Sequence, residues 1–204
     1  MDLNTRKILS LFASILFTIP VYIILHEGGH ALYELGIGED LQFTCLADGA
    51  SMGLHESQSR FYENLIGRSL PFCKALLPVM QACFPEQMRG VDAQTLYRAV
   101  NVAQPSLIRT EADELTYPLH IMIRYELEKR LIAGDMRVAE LPEAWNAMYR
   151  EYLGVEVPND RQGVLQDSHW SGGSFGYFPS YALGSAYGAQ MLERMEREID
   201  VWGP

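Results

Sequence analysis

His26-Glu27-Gly28-Gly29-His30 is the stretch whose residue types and spacing could do chemistry. On a helix, residues four apart share a face, so both imidazoles reach one metal ion. A glutamate directly after the first histidine sits beside that ion, where its carboxylate can take a proton from an activated water. The pattern is that of a zinc hydrolase, which needs a third protein ligand, a means of holding substrate and a donor for the oxyanion. His55-Glu56 follows a glycine-rich stretch and opens a helix that can fold back on the motif helix. Glu56 then completes a His-His-Glu set, or else is a solvated first-turn carboxylate favoured by the helix dipole.

The elements that must position these groups read as helices. Ile19 to Gly36 carries the motif, and Gly38 to Gly53 is a loop with at most one or two short strands around Leu41 to Cys45. His55 to Leu70 and Phe72 to Phe84 have helical apolar spacing, and Asp92 caps a helix running to Gln104. Ser106 to Ala133 is the longest helical pattern, with Pro118 expected to kink it and Gly134 to end it. Pro142 suits the first turn of a helix closing before Gly154, Gly163 to Gly176 reads as a loop, and Pro179 opens a last helix to about Asp200. The fold class expected is mainly α, a helical metallopeptidase region with at most a small β element near residues 41–52.

Composition sets further bounds. Apolar residues make up 48% and charged residues 21% of the 204, the proportions of a globular chain. A net charge of −10 argues against a nucleic-acid partner, whose phosphates it would repel. Cys45, Cys73 and Cys83 form no C-x-x-C pair and are odd in number, which reads as buried free thiols in a reducing, cytoplasmic setting. Arg6 and Lys7 precede an apolar run from Ile8 to Leu25, broken by Ser10, Ser14, Thr18 and Pro20. That run is a core helix leading into the motif, or an anchor in contact with membrane. Residues 1–25 are therefore set apart from a single domain over 26–204.

Four motifs in order resemble a known family. His26-Glu27-Gly28-Gly29-His30 and His55-Glu56-Ser57-Gln58 resemble the paired signatures of the thermostable (carboxypeptidase Taq) metallocarboxypeptidases. Ile108-Arg109-Thr110-Glu111-Ala112-Asp113 resembles that family's I-R-x-x-A-D, and Gly163 to Trp170 its G-x-x-Q-D-x-H-W. The likeness runs from about His26 to about Gln190. The resemblance implies zinc, with cobalt as a substitute, held by His26, His30 and Glu56, with Glu27 as the base. It further implies Arg109 as a clamp for a peptide's terminal carboxylate, which a planar guanidinium binds through two parallel hydrogen bonds. Gln166 joins the substrate-binding residues, and His169 and Tyr177 become oxyanion donors, with Tyr181 as the alternate for Tyr177. A peptide substrate and a homodimer are likewise implied. Family members are longer, with a helical region before the metal motif that bears a D-x-R-x-T element. Here Asp2-Leu3-Asn4-Thr5-Arg6 is at most a remnant of it. The readings carried forward are thus a metal-dependent carboxypeptidase, a metal-binding remnant without turnover, and a membrane-associated zinc protease.

Overall fold

The computed structural model describes residues 22–203. The apolar run from Ile8 lies outside the described residues as far as Val21. Among those described, no helix is long and apolar enough to cross a membrane. All regular structure among the described residues is helical, and the 41–52 stretch is turns and bends up to the start of the next helix.

The chain divides into two compact units, residues 1–102 with 183–204, and residues 103–182. In the first, a π-helical segment Tyr22–Glu27 runs into α1 (Gly28–Leu35). Next come α2 (Met52–Arg60), continued as a second π-helical segment Phe61–Ile66, then α3 (Leu70–Cys83) and α4 (Ala93–Val100). The capping residues are side-chain acceptors: Ser51 takes Leu54 N–H, Ser69 takes Phe72 N–H and Asp92 takes Thr95 N–H. Pro71 falls in the first turn of α3, where its missing N–H costs nothing. The Asp92-capped helix stops at Val100, short of Gln104.

An apolar cluster of Cys73, Met80, Met88, Val91 and Leu96 holds α3 against α4. The α1–α2 pair is different, because α2 buries His55, Glu56, Ser57, Ser59 and Arg60 rather than aliphatic side chains. Buried polar groups destabilise unless each is paired, so a helix of this composition is built around specific partners. All three cysteines are free, but only Cys73 is buried; Cys45 and Cys83 are exposed, unlike the expectation of three buried thiols.

In the second unit, α5 (Tyr117–Ala133) packs on α6 (Leu141–Leu153) around Ile123, Leu127, Trp145 and Tyr149. The sequence reading of one kinked helix over 106–133 is corrected. Residues 106–116 form turns with a single 3-10 turn Arg109–Glu111, and Pro118 sits in the first turn of α5. Asp113 makes this break, since its carboxylate accepts from the N–H groups of Leu115 and Thr116 and from the Thr116 hydroxyl. Gly134 and Gly154 close α5 and α6 in the left-handed conformation, at φ 77° and 66°. The last helix, α7 (Pro179–Glu196), has its first residues in this unit and the remainder in the other.

Candidate metal centre

His26, His30 and Glu56 come together in the first unit, with one ligand atom from each lying within 4.8 Å of the others. Glu56 Oε1 is 3.6 Å from His26 Nε2, and Glu56 Oε2 is 3.7 Å from His30 Nε2. These separations are too long for hydrogen bonds. They suit donors that share an ion: two atoms each about 2.0–2.1 Å from zinc lie roughly 3.4 Å apart at the tetrahedral angle. The far nitrogen of each ring is already engaged. His26 Nδ1 is 3.0 Å from Glu63 Oε2, and His30 Nδ1 is 2.6 Å from His55 Nδ1. Two imidazole nitrogens and a carboxylate oxygen, turned toward one point, fit a divalent metal of the zinc type.

Close backbone approach makes this geometry. His26 and His30 lie on the segment that holds Gly29, and a Cβ built on Gly29 would stand 2.8 Å from Gln58 O and from Ser59 Cα. A Cβ on Gly184 of α7 would likewise stand 3.0–3.1 Å from Glu56 C, Cβ and Cγ. The two glycines therefore let neighbouring helices approach α2 closely enough for Glu56 to share a focus with the two histidines. His26 and Glu63 lie on the two π-helical segments, which re-aim side chains relative to a regular helix.

The electrostatics favour neutral imidazole beside charged carboxylate. Burial pushes His30 below the usual histidine range, and neighbouring His26 and His55 push it further, against the pull of Glu27 and Glu34. Burial opposes ionisation of Glu63. Its bond to His26 and the charges of Arg60 and Arg68 outweigh that and hold its carboxyl below the usual range. Deprotonated nitrogen and ionised carboxylate are the forms that bind metal. Glu27, beside His26, is exposed.

Arg109, Gln166, His169 and Tyr177 belong to the second unit. Arg109 is 7% exposed. Its Nε and NH2 nitrogens are both 2.9 Å from Asp167 Oδ1, and NH1 donates to the Tyr117 hydroxyl at 3.0 Å. The guanidinium carbon lies 5.0 Å from the centre of the Phe178 ring and 5.2 Å from that of Tyr181. Gln166 splints this loop: its Oε1 accepts Arg109 N–H, and its Nε2 donates to the carbonyls of Leu107 and Gln162. His169 Nε2 is 3.1 Å from the Tyr181 hydroxyl, and its ring stacks at 6.1 Å on Tyr177. Burial and nearby Arg109 push His169 below the usual histidine range. His120 is buried against the Tyr149 hydroxyl, a core histidine rather than a ligand.

Nothing in residue spacing points to Glu63 or to the Asp167 partnership of Arg109. A signal for Gly184 is present in Gly184-Ser185-Ala186-Tyr187-Gly188, a small-residue face four residues apart.

A helical fold with a His-His-Glu group able to hold a metal ion, after H-E-x-x-H, is of the metallopeptidase type. Residues 7–203 match the family described as Carboxypeptidase Taq (M32) metallopeptidase, and the chain belongs to that family. It is 50% identical over 183 residues to Carboxypeptidase 1 of Bacillus subtilis, covering 90% of this chain and 36% of that protein. It is 47% identical over 183 residues to Thermostable carboxypeptidase 1 of Thermus thermophilus, with the same coverage of 90% and 36%. The crystal structure of an M32 carboxypeptidase from Deinococcus radiodurans superposes with a TM-score of 0.83 at 45% identity, covering 91% of this chain and 38% of that one. The chain thus spans about a third of the length of these relatives.

Proposed function

We propose that this chain carries the catalytic centre of a metal-dependent carboxypeptidase, which releases amino acids from the C-termini of peptides. The observation that carries the reading is the shared focus of His26 Nε2, His30 Nε2 and Glu56, in a chain of the M32 family. His26, His30 and Glu56 would hold the ion, which we take to be zinc, with cobalt as a substitute. When bound, it supplies Lewis acidity, polarising a peptide carbonyl and making a water acidic enough to attack near neutral pH.

The chain's own residues do the rest. Glu27 takes the proton of the attacking water and returns it to the leaving amine. Arg109 pairs with the terminal carboxylate of the peptide. Gln166 and Asp167 fix the loop and the guanidinium plane of Arg109. His169 and Tyr177 donate to the oxygen on which negative charge develops. A second reading, metal binding without turnover, draws support from Arg109, whose buried guanidinium is already paired with Asp167.

Mass spectrometry of a peptide incubated with the protein, with and without a chelator, tests the proposal. Stepwise C-terminal loss abolished by chelation is expected. Loss from the other end, or loss indifferent to chelation, overturns it, and zinc uptake with no product favours the second reading. Glu27→Gln should keep its zinc and lose roughly 10²–10⁴-fold in rate.

A further inference from the structure

Glu63 is a buried charged group beside the metal centre that the chemistry above leaves unused. The residue is 5% exposed, on the π-helical segment that continues α2. Oε2 lies 3.0 Å from His26 Nδ1 and 3.4 Å from Arg60 NH1, and Oε1 lies 3.9 Å from Arg68 NH2. An ionised carboxylate only accepts hydrogen bonds, so the hydrogen between them sits on His26 Nδ1. The lone pair is then on Nε2, the nitrogen that faces Glu56.

His30 is held differently. Its Nδ1 and the Nδ1 of His55 are 2.6 Å apart, and one hydrogen serves both. If His30 offers Nε2, facing Glu56, that hydrogen is on its own Nδ1, and His55 Nδ1 accepts it. His55 then carries its hydrogen on Nε2, which is 3.3 Å from Glu34 Oε1. One assignment satisfies all of these contacts: a carboxylate behind His26, and a neutral imidazole backed by a carboxylate behind His30.

We propose that Glu63 and His55 are positioning residues which lock His26 and His30 into the Nδ1–H tautomer, and that Glu63 makes His26 the principal anchor of the site. This rests on the metal reading above. The two supports are unequal for a physical reason. A hydrogen bond to an ionised group is roughly twice as strong as a neutral one. Glu63 is sealed from water, whereas Glu34, behind His55, has a side chain 65% exposed.

Partners behind a ligating histidine are typically worth 10–100-fold in metal affinity. Glu63→Ala should therefore weaken zinc binding by about 10–100-fold. Glu63→Gln, of the same shape and still able to accept from Nδ1, should recover part of it, losing about 3–10-fold, and His55→Ala should lose a similar factor. Zinc affinity is read by competition with a chromophoric chelator. The second readout is long-range 1H–15N NMR of the metal-free protein, which reports tautomers directly. Wild type should show His26 with Nδ1 protonated and Nε2 bare, and Glu63→Ala should show a mixture.

A purely structural role for Glu63, as the partner of Arg60 and Arg68, lowers the melting temperature without moving the tautomer, and that result overturns the proposal. So does zinc affinity unchanged in both Glu63 variants while wild type binds. A wild type that takes up no zinc at all overturns the metal reading itself, and this inference with it.

Discussion

Gly28 and Gly29 are adjacent in the motif and should respond oppositely to the same substitution. A Cβ on Gly28 meets nothing within 4 Å, so Gly28→Ala adds helix propensity, up to about 1 kcal/mol, and leaves the site alone. A Cβ on Gly29 would lie 2.8 Å from Gln58 O and Ser59 Cα and 3.0 Å from Gln58 C, all backbone atoms that no rotamer change can move. Carbon–carbon contacts sit best at about 3.5–4.0 Å, so α1 and α2 would have to part by roughly 0.7–1.2 Å. Overpacking of this kind costs about 1–3 kcal/mol. Metal–ligand distances tolerate only about 0.2 Å, so bound zinc must draw the helices back against that strain. At 1.4 kcal/mol per factor of ten, zinc affinity should fall roughly 5–150-fold in Gly29→Ala. Chelator competition gives the affinity and urea unfolding the stability. Gly29→Ala binding zinc as tightly as wild type would refute the argument that glycine contact sets the ligand spacing, as would an equal loss in Gly28→Ala.

Other perturbations follow from the same geometry. Gly184→Ala, whose Cβ meets Glu56 at 3.0–3.1 Å, should weaken zinc less than Gly29→Ala, while Gly188→Ala, at 3.4 Å from Ser57 O, should be near neutral in the same titration. Asp167→Ala leaves the Arg109 charge buried without its carboxylate and should destabilise by about 3–5 kcal/mol in urea unfolding; a loss below about 1 kcal/mol would show the pair is not buried as described. Burial pushes His120 down to about 4, below its unfolded value, so between the two values the unfolded chain binds the proton that the folded one refuses. The folded state is therefore unpenalised above about pH 6.5 and loses stability as pH falls toward 4, with about 2 kcal/mol gone by pH 5. His120→Leu should flatten that part of the urea-midpoint profile between pH 7 and pH 5, and an unchanged slope would count against it.

The grouping of His26, His30 and Glu56 was legible where chemistry fixes spacing. His26, Glu27 and His30 share a short helical stretch, and Glu56 follows a loop short enough to return its helix to them. Caps and first-turn prolines were legible for the same local reason, as at Asp92 and Pro142. The break before Tyr117 was not, because apolar spacing continues through 106–116 while Asp113 captures the backbone N–H groups that a helix would need. Glu63 was hidden because its meeting with His26 depends on two π-helical segments, whose register apolar periodicity does not encode. The Arg109–Asp167 pair joins residues far apart in sequence, and only the packed second unit shows that the guanidinium already holds a carboxylate.

The metal content of the purified chain tests the central claim most directly. Zinc per chain, measured by elemental mass spectrometry after gel filtration, should be one for wild type and close to zero for both His30→Ala and Glu56→Ala. One zinc per chain retained in those two variants would contradict the assignment of His26, His30 and Glu56 as a metal site.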